Sequence, residues 1–218
     1  NGAGKTTLFN LVTGFYRPDG GTVTFLGHTI TALPPDKLPH MGLARTFQNL
    51  RLFGRLTVFE NVLSAVLSRR GYGFFSAVFR SQRYFTTEAK AEGKARALLD
   101  FFDLSDKLDH PSGSLPYGDQ RKLELARALA VEPKLLLLDE PGAGMNPREI
   151  QDFVETLREV KSRFGLTIMI IEHQMGLVMN VSNRIVVMDF GEKIVEGPPD
   201  EVRRDRRVIE AYLGEEPS

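Results

Sequence analysis

Two uninterrupted apolar runs, Leu135-Leu136-Leu137-Leu138 and Thr167-Ile168-Met169-Ile170-Ile171, most narrow what this chain can fold into. Apolar residues that run on without alternating suit strands buried on both faces, and such strands belong to parallel sheets covered by helices. Arg148 to Phe164 lies between them with helical spacing, giving a strand–helix–strand unit and an α/β fold. The spacing also predicts a helix from Thr6 to about Thr13 and a strand at Thr22–Leu26 after the Gly20-Gly21 turn. Further helices are predicted over 58–68 (Val58, Val62, Leu63, Val66, Leu67), over 88–102 (Ala91, Ala95, Leu98, Leu99, Phe102) and over 118–131. Arg184–Asp189 and Lys193–Glu196 read as a hairpin about Phe190-Gly191-Glu192. The division expected is an α/β core formed by 1–51 and 132–218, interrupted by a helical block at 52–131.

Composition removes several alternatives. At 218 residues the chain supports a real core without staples, and with no cysteine it has no disulfide framework, thiolate zinc site, iron–sulfur cluster or cysteine nucleophile. The 28 Lys+Arg balance 28 Asp+Glu, which argues against a nucleic-acid binder resting on a basic surface. Neither apolar run approaches the roughly 20 residues of a membrane span.

The chain opens Asn1-Gly2-Ala3-Gly4-Lys5-Thr6-Thr7, whose Gly4-Lys5-Thr6 are the last defined positions of the phosphate-binding pattern G-x-x-x-x-G-K-[ST]. The first glycine of the pattern would lie two positions before Asn1, with its feeding strand further upstream. Glycine lets the backbone wrap closely around phosphates with its N–H groups pointing inward, and Lys5 would reach the β- and γ-phosphates. The Thr6 hydroxyl would ligate Mg²⁺, and the following helix presents its positive end to the same anion. A glycine-rich turn capping an ordinary helix is the other reading of these residues. Leu135–Leu138 ends in Asp139-Glu140, placing two carboxylates at the C-terminal end of a strand, where open α/β sheets bind ligands. Asp139 would hold the Mg²⁺ hydration shell and Glu140 would orient the attacking water. Taken alone, that pair equally describes a strand that has met solvent.

The loop Ser112-Gly113-Ser114-Leu115-Pro116-Tyr117-Gly118-Asp119-Gln120 and the helix that follows resemble the signature region of the nucleotide-binding domain of ABC transporters. Four more segments fall in that family's order: Gly4-Lys5-Thr6, the Q-loop-like Thr46-Phe47-Gln48, the D-loop-like Pro141-Gly142-Ala143-Gly144-Met145-Asn146-Pro147 after Asp139-Glu140, and the switch-like Ile171-Glu172-His173. The resemblance spans essentially the whole chain. It implies a P-loop NTPase, RecA-like, with a mostly parallel sheet core, an inserted helical subdomain and N-terminal strands missing. It further implies that ATP and Mg²⁺ are bound by Asn1, Gly2, Ala3, Gly4, Lys5, Thr6 and Thr7, with Gln48 and Asp139 at the metal. Glu140, His173 and Gln48 are the implied catalytic set, His173 bonding the γ-phosphate. Leu115, Tyr117, Gly118 and Asp119 are the implied signature contacts to a second subunit's nucleotide.

Two departures from the family pattern stand out. Aligned to L-S-G-G-Q, the chain reads Leu115-Pro116-Tyr117-Gly118-Asp119, so the serine hydroxyl is absent, and Asn146 replaces the usual D-loop Asp. With Arg45–Phe53 and the tail Val208–Gly214, these features resemble the LivG-like branch, the ATP-binding subunits of bacterial branched-chain amino acid importers. Urea and short-chain amide importers use close relatives, and lipid-exporting ATPases share the motifs. A catalytically impaired fragment is the remaining alternative, because the phosphate loop is cut. The implied partners are two transmembrane permeases, a second ATP-binding subunit and, indirectly, a periplasmic or extracellular solute-binding protein, with no nucleic acid. The implied place is the cytoplasmic face of the bacterial inner membrane, held peripherally. The aromatic cluster Tyr72, Phe74, Phe75, Phe79, Tyr84 and Phe85 reads either as a permease- or membrane-facing surface or as packing within the helical block. His28, His40 and His110 lack partners at metal-ligand spacing and read as surface residues.

Overall fold

A computed structural model describes residues 2–48, 50–69 and 82–213, with backbone alone at 69, 82–87 and 211–213. Asn1, Asn49 and the aromatic cluster from Tyr72 to Phe85 lie outside the residues whose side chains it describes. In chain order the described elements are α1 (Lys5–Val12), β1 (Thr24–Phe25), β2 (His28–Thr29), α2 (Leu38–Met41), β3 (Leu43–Arg45), α3 (Val58–Arg69), α4 (Gln82–Phe101) and α5 (Tyr117–Ala130). Then follow β4 (Leu135–Asp139), α6 (Pro147–Phe164), β5 (Thr167–Ile171), α7 (Met175–Val181), β6 (Ile185–Asp189), β7 (Glu192–Gly197), α8 (Pro199–Val202) and α9 (Arg206–Leu213). Two compact units emerge, one of Asn1–Pro35, Asp139–Arg163 and Ile170–Ser218, the other of Asp36–Leu138 and Phe164–Met169.

The second unit is built on β3, β4 and three helices. β3 pairs with β4 in parallel, Leu43 opposite Leu135 and Arg45 opposite Leu137. β4 is the middle strand of the order β3-β4-β5, and Leu136, Leu137 and Leu138 are fully buried, as an unbroken leucine run requires. α3, α4 and α5 pack on one another through Val58, Val62 and Val66, through Ala91, Ala95, Leu98 and Leu99, and through Leu123, Ala126 and Leu129. These rows recur every three or four residues, so each helix presents one apolar stripe to its neighbours. Asn61 on α3 is fully buried and fastens the preceding loop: its Oδ1 accepts the Phe53 N–H, and its Nδ2 donates to the carbonyls of Phe53, Leu56 and Thr57 and to Ser112 Oγ.

β5 departs from the sequence expectation of burial on both faces. Its residues alternate in exposure and only Ile171 is fully buried. Among the described residues β5 is the last strand in the order β3-β4-β5. The Thr22–Leu26 strand likewise shrinks to Thr24–Phe25. It turns back on β2 through Leu26 and Gly27, both at positive φ (50° and 78°), the geometry of a two-residue hairpin turn. β3 has no counterpart in the sequence reading, because three residues carry too little periodicity to register.

In the first unit, β6 and β7 form the expected antiparallel hairpin, with a register shift between Val187 and Met188. It packs on Val202 and Val208, with Val178 and Met179 of α7 beside them. His28, His40 and His110 are all exposed, as expected.

Candidate nucleotide site

Gly4 caps α1 in the left-handed region (φ 86°), and its carbonyl accepts the Leu8 N–H at 2.9 Å, so the helix starts directly on the Gly-Lys-Thr segment. No acidic residue occupies the first turn, so α1 itself sets no negative charge against the positive end of its dipole. The Ala3 carbonyl accepts the Gly191 N–H at 3.1 Å, and a Cβ on Gly4 would lie 3.3 Å from Gly191 Cα. Its φ therefore favours glycine at position 4, and the close approach of the β6–β7 turn adds to that preference. Around Gly2 the space is open, and Thr6 and Thr7 are exposed.

The same unit holds the carboxylates and the histidine. Asp139, the last residue of β4, is buried at 3% exposure. Glu140 follows with φ 45°, a left-handed backbone that a non-glycine side chain adopts only under strain, of the kind found at functional positions. Its N–H donates to the Ile171 carbonyl at 2.9 Å, tying the ends of β4 and β5. The His173 Nδ1 stands 3.8 Å from Glu140 Oε1, beyond direct hydrogen bonding, with the imidazole half-exposed. The turn after Glu140 is closed by Ala143 N–H to the Glu140 carbonyl and Met145 N–H to the Gly142 carbonyl. Asn146 then caps α6: its Oδ1 accepts the Arg148 and Glu149 N–H groups at 3.0 and 3.1 Å, while its own N–H donates to Glu149 Oε2 at 2.8 Å. That reciprocal box gives Asn146 a local structural job where the family pattern has Asp.

Gln48 and the signature segment lie in the other unit, where Arg121 brings them together. The Arg121 guanidinium is 5% exposed and donates to Glu124 Oε2 (3.1 Å), to the Gln48 carbonyl (3.2 Å) and, from two nitrogens, to the Tyr117 hydroxyl (3.0 and 2.7 Å). Burial pushes the Glu124 carboxyl above its ordinary range, offset in part by Arg121 and by bonds from the Phe47 and Arg51 backbone N–H groups. Leu115 is buried, Gly118 is exposed, and Tyr117 shows its ring to solvent. The Asp119 carboxylate is held by Lys107 at 2.9 Å, which raises the ammonium's pKa. Sequence reading gave no role to Arg121, Glu124 or Gln174, and took Glu172 only as part of Ile171-Glu172-His173. The i, i+3 spacing of Arg121 and Glu124 was the available signal, but on a helix it also describes a solvated pair.

Residues 1–143 match the ABC transporter family, and residues 192–217 match a branched-chain amino acid ATP-binding cassette transporter family. The chain belongs to the ABC transporter family. It is 42% identical over 215 residues to the high-affinity branched-chain amino acid transport ATP-binding protein LivG of Salmonella typhimurium, covering 99% of this chain and 84% of that one. It is 41% identical, over the same coverage, to BraF of Pseudomonas aeruginosa, which carries the same functional description. Among solved structures it resembles the ADP conformation of MJ1267, an ATP-binding cassette of an ABC transporter, with TM-score 0.81 and 34% identity over 99% of this chain and 85% of that one. The fold is thus that of an ABC ATPase cassette, and no helix among the described residues is long and apolar enough to cross a membrane.

Proposed function

We propose that this cassette hydrolyses ATP with Glu140 as the group that orients and polarises the attacking water, and that its turnover drives import of branched-chain amino acids through partner permeases. The observation that carries the chemistry is the strained Glu140 at the end of a buried strand, with His173 3.8 Å away in the same unit as Gly4-Lys5-Thr6. Gly2, Ala3 and Gly4 offer backbone N–H groups to the phosphates, Lys5 adds a point charge, and the start of α1 adds its dipole. Glu140 accepts the water's proton, and His173 donates to the γ-phosphate. Asn1 and Thr7 are proposed to flank this stretch of the phosphate loop.

The residues fit Mg²⁺. Thr6 and Asp139 offer hard oxygen donors, as suits an ion bound mostly through phosphate and water oxygens. Thr6 and Asp139 would hold it, and when bound it would neutralise charge on the phosphates.

Leu115, Tyr117, Gly118 and Asp119 are proposed to meet the nucleotide of a second ATP-binding subunit. In that role the exposed Gly118 backbone, at the first turn of α5, stands in for the missing serine hydroxyl. The helical block at 52–131 is the module proposed to carry this contact, and the Gln48–Thr57 segment the one that meets the permeases on the cytoplasmic face of the membrane. A solute-binding protein would act on the permeases rather than on this chain. The solute assignment rests on likeness to the LivG and BraF proteins and on the family match at residues 192–217. ATP-driven uptake of leucine, isoleucine and valine into vesicles carrying the full-length subunit and its permeases tests it. Uptake of urea or short amides instead, or outward movement of lipid, overturns it.

A further inference from the structure

The Glu172 side chain is completely buried, and the phosphate chemistry just described gives it no part. It sits between β5 and His173. Oε1 accepts the Gly142 N–H at 2.8 Å, and Oε2 accepts the N–H groups of His173 (2.9 Å) and Gln174 (3.1 Å). Gln174 completes the grip from the other side, its Nε2 donating to the Gly142 carbonyl at 3.0 Å. Both polar groups of Gly142 are thus held by the segment that carries His173. A Cβ at position 142 would fall 2.8 Å from Glu172 Oε1, 2.9 Å from Ile150 Cδ1 and 3.0 Å from Leu177 Cδ1, so a larger residue there would push the Glu172 carboxylate aside.

We infer that Glu172 and Gln174 are positioning residues that lock the loop after Glu140 to the His173 segment, so that the two catalytic side chains move as one body. Three features single this out from ordinary core bonding. All bonds of the grip are to backbone, so they fix the paths of the two loops rather than one rotamer. The carboxylate is acceptor-only and uses both oxygens, a requirement that an amide of the same shape fails. The gripped peptide lies two residues after Glu140, and the gripping residues flank His173 on either side. The inference rests on the proposed roles of Glu140 and His173 and adds how their spacing is maintained.

The test is steady-state ATP hydrolysis and ATP binding by the full-length subunit bearing Glu172→Gln, Gln174→Ala or His173→Ala, or the last two combined. In Glu172→Gln the amide nitrogen must face either the Gly142 N–H or the His173 and Gln174 N–H groups, so one side of the grip opens. A displacement near 1 Å costs on the order of 100-fold in rate, so kcat is expected to fall at least 10-fold while ATP affinity stays unchanged. Gln174→Ala removes one bond from a half-buried side chain and is expected to lower kcat about threefold. In the His173→Ala background it should lower kcat no further, because it acts through that histidine's placement. A folded Glu172→Gln protein with kcat within twofold of the parent overturns the inference. An undiminished Gln174→Ala effect in the His173→Ala background does the same. If Glu172→Gln fails to fold, the Gln174→Ala pair of measurements decides alone. Glu140→Gln, run alongside, separates the two levels: retained turnover there defeats the catalytic roles themselves, whereas lost turnover with a silent Glu172→Gln defeats only the grip.

Discussion

Replacing Arg121 by Met should destabilise this cassette in a strongly pH-dependent way. Arg121 is the counter-ion of Glu124, and both are buried. Without it Glu124 either stays ionised in a desolvated place or takes up a proton, and protonation caps the cost. At pH 7 the solution lies about 2.5 pH units above the ordinary value of 4.5, each worth about 1.4 kcal/mol, so the cap is about 3.4 kcal/mol. Losing the bonds to Tyr117 and the Gln48 carbonyl adds about 1 kcal/mol each. The total, at most about 5 kcal/mol, compares with the 3–5 kcal/mol typical of breaking a buried pair from one side. A melting temperature lower by roughly 10–20 °C follows for a chain of this size. The sign is set by the raised Glu124 carboxyl. A carboxyl whose folded pKa lies above its unfolded value loses stability as pH rises through the interval between them. Removing Arg121 widens that interval upward. The deficit should therefore shrink toward about 2–3 kcal/mol at pH 5, where protonating Glu124 costs only about 0.7 kcal/mol. Thermal or urea melts at pH 5 and 7 of the parent, Arg121→Met and Arg121→Met/Glu124→Leu measure this, and the double variant should regain most of the loss at pH 7. A deficit below about 1 kcal/mol at pH 7, equal deficits at the two pH values, or no recovery in the double variant would refute the reasoning.

Two further perturbations follow from single residues. Asn61→Ala empties a buried hub of five hydrogen bonds and should cost about 2–4 kcal/mol; Asn61→Asp, which turns a carboxylate toward three carbonyls, should cost more, and urea melts rank the two. Gly4→Ala forces a left-handed backbone on alanine and a Cβ within 3.3 Å of Gly191 Cα, so ATP affinity should drop at least 10-fold in a titration. Unchanged affinity there would show that the Gly4 backbone does not shape the phosphate site.

Much of the fold was legible because its strands and helices announce themselves by burial. The leucine run of β4 lies buried in mid-sheet, and the stripes of α3, α4 and α5 face inward at the positions their spacing indicates. Where neighbours rather than periodicity decide, the sequence was mute. β5 carries an equally apolar run yet is only partly buried, last in the order β3-β4-β5 among the described residues, and β3 exists only because β4 offers three residues of ladder. The candidate site shows the same division. Lys5, Thr6, Asp139, Glu140 and His173 belong to contiguous motifs and could be picked out directly. Arg121, Glu124, Glu172 and Gln174 act on backbone groups 30 to 77 residues away, and such partners leave no local pattern. Asn146, a departure from the family pattern on paper, proves to be a helix cap whose geometry suits asparagine as well as aspartate.

The most direct test of the proposed chemistry is ATP turnover by the full-length subunit carrying Glu140→Gln, measured with its ATP affinity. The amide keeps the shape of the side chain but cannot take a proton from water, and losing a general base costs about 100-fold or more. ATP binding should be undiminished while turnover falls by at least that factor. Turnover within threefold of the parent, at equal nucleotide affinity, would contradict the role given to Glu140 and with it the mechanism.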